Sequence, residues 1–170
     1  MRDRIWTEIT QAKFNVEFAG LYADRQRSIL RYFNIFVLVF SAGGAMGWAI
    51  WDNFPLIACV LIGAVSLLRH IQPQLIMSDK QIINLETISK FYFNYYNNLE
   101  RIWYDNEDDT IDNTTLKAEF FKIKKSESEI NSLVNETIRN KPKSLVKKAK
   151  EYSDQYFKLS FNTTNILNNG

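Results

Sequence analysis

Residues 32–51 read YFNIFVLVFSAGGAMGWAIW and residues 54–68 read FPLIACVLIGAVSLL, with only Asp52 and Asn53 between them. No charge falls between Arg31 and Asp52. As a helix this run of about 20 residues is roughly 30 Å long, the thickness of a bilayer's hydrocarbon core. The second run, about 15 residues, reaches spanning length by continuing through Arg69 and His70 to Met77, with Arg69 snorkelling to the headgroups. The rest of a chain of 170 residues is too small to surround two helices that are apolar on every face. The sequence therefore predicts an all-α membrane protein, a two-helix transmembrane hairpin with a cytoplasmic helical bundle, assembled as an oligomer.

Charge sets the expected orientation. Arg25, Arg27 and Arg31 precede the first run, Arg69 and Lys80 follow the second, and the tip carries only Asp52. The positive-inside rule then places both termini of a multi-pass protein in the cytoplasm, with Asp52 outside. Trp48, Trp51 and Phe54 cluster at the tip, where aromatic rings favour the interface. The mean hydropathy of −0.25 averages this apolar block with long polar flanks.

Three expected domains follow: an amphipathic cytoplasmic helix over 1–31, the transmembrane hairpin over 32–77, and a cytoplasmic helical domain over 78–170. The N-terminal helix, with Ile5, Ile9 and Val16 on one side, lies on the membrane surface or packs against the later helices. Ser78 and Gln81 have capping-box spacing and open a helix from Ser78 to Tyr104. Leu85, Ile88, Tyr92, Tyr95, Leu99 and Ile102 form a coiled-coil-like seam on it, for an intrachain bundle or for subunit pairing. The acidic stretch 106–113 interrupts the pattern, which resumes at Leu116, Phe120, Ile123, Ile130, Val134 and Ile138 behind a cap at Asn113 or Thr114. Pro142 marks a further break, a last helix covers about Lys143 to Leu159, and the tail from Asn162 frays.

Composition argues against catalysis. His70 and Cys59 are the only residues of their kinds, so neither a Cys/His zinc site nor histidine acid–base chemistry assembles within one chain. No phosphate-cradling glycine loop links a strand to a helix. The stretch Asp105–Asp109 resembles a calcium loop, but Thr110 and Leu116 stand where an EF-hand needs glycine and a bidentate glutamate. The chain is expected to be no enzyme, and to need neither cofactor nor metal.

Two other features bear on binding. Gly43 and Gly47 form a small-xxx-small pair for close helix packing, within a hairpin or between subunits. Asn34, Ser41 and Ser66 are the polar groups of the apolar runs and the candidates for lining a pore; two spans enclose none, so a pore needs four or more chains. Arg139, Lys141, Lys143, Lys147, Lys148 and Lys150 follow one another with no acid between them, in a chain whose net charge is only +2. Such a cluster suits phosphates of a nucleotide or of anionic headgroups, or it pairs with acids such as Glu107–Asp109. Lys122, Lys124 and Lys125 add to it, and Tyr92, Tyr95, Tyr96, Trp103 and Tyr104 either stack on bases or fill the core.

The order of parts, an arginine-bearing helix, a hairpin with a very short turn, a long amphipathic helix and a Lys/Glu-rich segment, resembles the SLATT-domain two-transmembrane effectors of bacterial anti-phage defence over roughly residues 10–157. That resemblance implies an oligomeric transmembrane pore that permeabilises the inner membrane. Its gate would answer to a nucleotide or oligonucleotide made by a partner nucleotidyltransferase and bound over residues 105–160. It implies no catalytic residues. The alternative from another class is a membrane anchor or scaffold that recruits a cytoplasmic protein partner through the Leu85–Ile102 seam.

Overall fold

The computed structural model describes the backbone of residues 1–46 and 55–167, and the side chains of 1–40, 60, 63–72 and 76–161. Five helices make up the described chain: α1 (Arg2–Met46), α2 (Pro55–Leu75), α3 (Asp79–Glu107), α4 (Asn113–Thr137) and α5 (Lys143–Leu167). They divide into two compact units, one of Met1–Ala23 with Ile83–Gly170 and one of Asp24–Ile82.

The first unit is a four-helix body built on the pairing of α1 with α3. Ile5, Ile9, Ala12, Ala19 and Ala23 are buried along α1 at alternating helical spacings, with Val16 half-buried between them. Ile5, Ile9 and Ala12 share one buried cluster with Tyr95, Tyr96, Leu99 and Ile102 of the α3 seam, whose Leu85 and Ile88 are fully buried as well. The alanines let the two backbones approach, while each buried Leu or Ile contributes about 1.5–3 kcal/mol. Arg2 bonded to Glu107 at 2.8 Å, Trp6 tilted against Trp103 with ring centres 4.9 Å apart and Glu8 accepting from Tyr95 at 2.9 Å set the two helices antiparallel.

The other two helices flank this pair. Leu116, Phe120 and Ile123 carry α4 into the core, with Glu119 of α4 3.8 Å from Arg101 and Lys124 2.7 Å from Glu8. Phe157 and Phe161 of α5 bring their rings edge-on to Trp6, and Tyr156 bonds to Tyr96 at 3.0 Å. These contacts run α4 antiparallel and α5 parallel to α3. The acidic turn after α3 and the basic start of α5 therefore lie at opposite ends of the body.

Local chemistry fixes the helix ends. Ser78 N–H donates to Gln81 Oε1 at 2.9 Å and Gln81 N–H to Ser78 Oγ at 3.4 Å, the reciprocal capping box expected from the sequence. At α4 the cap is Asp112 rather than Asn113 or Thr114: its Oδ1 accepts from the backbone N–H groups of Thr114 at 2.8 Å and Thr115 at 3.0 Å. Asp109 takes the left-handed conformation (φ 53°) in the turn between α3 and α4, which a short polar side chain tolerates. The last helix runs to Leu167, beyond the expected Leu159.

The expected membrane fold is corrected. Among the described residues no helix is long and apolar enough to cross a membrane, so the fold class is all-helical without an assigned transmembrane hairpin. The first apolar run is not a separate element. It continues the polar start of α1 without a break across the expected boundary at 31/32, and its described side chains end at Phe40. The described side chains of α2 beyond Val60 begin at Gly63 and include the exposed Arg69 and His70. Trp48, Trp51, Asp52, Asn53, Phe54 and Gly47 lie outside the described residues, as do the side chains of Ser41 and Cys59 and the surroundings of Gly43.

Candidate functional site

In the second unit the described side chains leave a broad apolar surface uncovered. Leu30, Phe33 and Val37 form a half-buried stripe on α1, and Val65, Leu68 and Gln72 form one on α2. Away from these stripes Tyr32 is 71% exposed, Leu38 68% and Leu67 67%, and Ile29, Ile35, Phe36, Val39, Phe40 and Val60 are exposed beside them. At about 100° per residue the exposed positions of α1 sweep more than half of its circumference. Contiguous apolar surface of this kind, where it exceeds a few hundred Å², marks an interaction site. Of the candidate pore-lining residues, Asn34 and Ser66 are exposed on α1 and α2, and Ser41 falls outside the described side chains.

At the start of α5 the structure keeps the basic cluster together and solvent-facing. The N–H groups of Leu145 and Val146 donate to the carbonyl of Pro142 at 3.0 and 3.1 Å, which starts the helix immediately after the proline. Buried Ala149 and Ser153 turn one face of α5 inward, and Arg139, Lys141, Lys143, Lys147, Lys148 and Lys150 are all exposed. Lys147 makes only a long pair with Glu151 at 3.9 Å, and Lys148 lies 5.4 Å from the centre of the Tyr152 ring. The acids proposed to neutralise them are elsewhere: Glu107 pairs with Arg2 at the opposite end of the body.

Lys124 departs from the cluster. Its ammonium donates to Glu8 at 2.7 Å and to Glu127 at 2.8 Å, tying α4 to α1. Partial burial opposes its charge, but the bonds to Glu127 and Glu8 outweigh that and hold its pKa above the ordinary lysine value. Tyr92, Tyr95, Tyr96 and Trp103 are buried and belong to the core rather than to a stacking platform, while Tyr104 remains half-exposed.

Sequence reasoning missed two arrangements in the body. The first is a polar cluster at the α5 contact. The Tyr96 hydroxyl contacts Glu100 and Tyr156, Tyr156 donates to Glu100 at 3.2 Å, and the Lys13 ammonium lies 4.1 Å from the centre of the Tyr156 ring. Burial, then the bonds to Glu100 and Tyr156, drive the Tyr96 pKa well above its usual range, so this hydroxyl stays protonated as a donor. The second is a groove of about 390 Å³ lined by Val16 of α1 and by Ser89, Lys90, Phe93 and Asn94 of α3. Phe93 one turn after Lys90 is visible in the sequence, but the approach of Val16 to them is not. No group of metal-ligating side chains occurs among the described residues.

Compared with protein-family models, with curated proteins and with solved structures, the chain matches none.

Proposed function

We propose that this chain is a non-enzymatic effector that works by self-association: the apolar face of the second unit gathers copies, and the four-helix body carries the control input. The observation that carries this reading is the uncovered apolar sweep of α1 from Ile29 to Phe40. One flat partner covers only part of a helix exposed over more than half its circumference. A neighbour on each side suits it better, as in a closed ring of more than two copies. The input we assign to the basic start of α5, where exposed ammonium and guanidinium groups suit a phosphate-bearing signal such as a nucleotide or oligonucleotide.

Light scattering coupled to size exclusion tests the assembly. The full chain should run as a defined oligomer, and Leu38→Glu with Val39→Glu should drive it to the monomer while helix content is kept. An assembly indifferent to both charges overturns the reading. So does a chain that stays monomeric and instead floats with phosphatidylglycerol-containing vesicles, which would assign the face to a lipid surface. For the input, replacing Lys147, Lys148 and Lys150 together by Gln should abolish any nucleotide-dependent change in assembly.

A further inference from the structure

We propose that the groove between α1 and α3 is a binding site for a small planar ring joined to an anionic group. The proposal stands on the groove itself and not on the self-association reading.

Phe93 is 54% exposed in a body that otherwise draws most of its aromatic residues of α3 into the core. It sits on the groove wall with Val16 opposite on α1, so two apolar surfaces face the same space. A flat ring placed there gains stacking on Phe93 and removes apolar area from water on both sides. Lys90 lies one helical turn before Phe93 and lines the same space. No acid pairs with it among the described residues, whereas salt bridges engage Lys13 of α1 and Lys122 and Lys124 of α4. An unspent ammonium beside an unspent ring suits a ligand with an anion attached to a ring.

Ser89 and Asn94 complete the lining with a hydroxyl and an amide. Neither makes an internal hydrogen bond among the described residues, so both remain available to ring nitrogens or carbonyls. The volume of about 390 Å³ falls within the usual range of small-ligand sites, roughly 300–1,000 Å³, and at its small end. One turn past Val16, a Cβ added to Gly20 would meet nothing within 4 Å, so α1 keeps open space there. The chemistry is shared by nucleoside monophosphates and by aromatic carboxylates, and the experiment separates them.

Saturation-transfer NMR and calorimetry on the full chain would use adenosine 5′-monophosphate and indole-3-acetate, with adenosine and inorganic phosphate as the half-ligands. At least one ring-bearing anion should bind, and each half-ligand more weakly. Lys90→Gln and Phe93→Ala should each weaken that binding about tenfold, the loss of one charge-assisted bond or one stacked ring. Both side chains are exposed, so both variants should retain the circular-dichroism spectrum of the parent. Preference for one of the two ring-bearing anions names the ligand class. Silence of both, or affinity unchanged in both variants, overturns the proposal. So does binding that survives Lys90→Gln and disappears with the Lys147, Lys148 and Lys150 triple variant, since the ligand would then sit on α5. The Leu38→Glu, Val39→Glu variant should bind as the parent does, which keeps this test separate from the assembly reading.

Discussion

At the scale of single residues, Glu8 does more than its place on a helix surface suggests. One carboxylate oxygen accepts from both the Tyr95 hydroxyl of α3 and the Lys124 ammonium of α4, so three helices share one acceptor. Removing it strands a buried hydroxyl and leaves Lys124 with Glu127 alone, and an unpaired buried polar group costs more than the bond it loses. Glu8→Ala should therefore destabilise the body by about 2 kcal/mol. Glu8→Gln, which keeps an acceptor for Tyr95 and drops the charge facing Lys124, should recover part of that loss. Urea denaturation of the three proteins checks the order. Nothing in the sequence marks Glu8: it is one acid in a polar stretch, and its value comes from Tyr95 and Lys124, about 90 and 115 residues away, meeting at one point.

The elements were largely legible, because helical periodicity is a local property. The seam from Leu85 to Ile102 and the stripe from Leu116 to Ile138 were read directly, and their first residues are buried as their spacing requires. What covers the α3 seam was not legible. Ile5, Ile9 and Ala12 of α1 share a buried cluster with its Tyr95, Leu99 and Ile102, a meeting of residues far apart in the chain that no local period shows. The cap of α4 was misplaced by one residue, since Asp112, Asn113 and Thr114 are all good caps and only the hydrogen bonds choose between them. Asp112→Ala should lower the melting midpoint at neutral pH. The Asp112 pKa is held below its ordinary 3.8, first by the Thr115 hydroxyl and then by the backbone N–H groups of Thr115 and Thr114. A lowered folded pKa gives stability that is present above 3.8 and lost as pH falls through the folded value. The difference between parent and variant melting curves should therefore close in acid. The groove residues were unreadable for a like reason: periodicity assigns a face to Phe93 but does not show which residues of α1 come to line the space beside it.

At the scale of the whole molecule, charge and apolar surface are segregated. The body has an acidic turn at one end and a basic helix start at the other, while the second unit exposes the apolar residues of α1 from Ile29 to Phe40. The apolar runs decide the hydropathy profile, which is why the sequence pointed to membrane spans, and the described helices do not supply one. The body also has a shared response to alkali. Burial, followed by hydrogen bonds to Glu8 and Glu100, raises the pKa values of Tyr95 and Tyr96 above the ordinary 10.0. Below pH 10 both hydroxyls are protonated in folded and unfolded chains alike, and their contribution is intact. Above it the unfolded chain ionises first, so stability should fall steadily as pH rises from 10, with the raised lysine at position 124 adding to the loss past 10.5. Denaturation midpoints taken between pH 8 and 11 should stay flat to about 10 and then drop; a midpoint insensitive to alkali would contradict the buried hydroxyl network.

The tilted packing of Trp6 against Trp103, with Phe157 and Phe161 set edge-on to Trp6, has an optical consequence. Indoles held at a fixed tilt in an asymmetric aromatic setting couple their electronic transitions, and the body thereby acquires a near-ultraviolet circular-dichroism band of its own. That band reports the meeting of α1, α3 and α5 rather than the presence of helix. Under conditions that loosen packing but leave hydrogen-bonded backbone in place, it should fade while the far-ultraviolet helical signal persists.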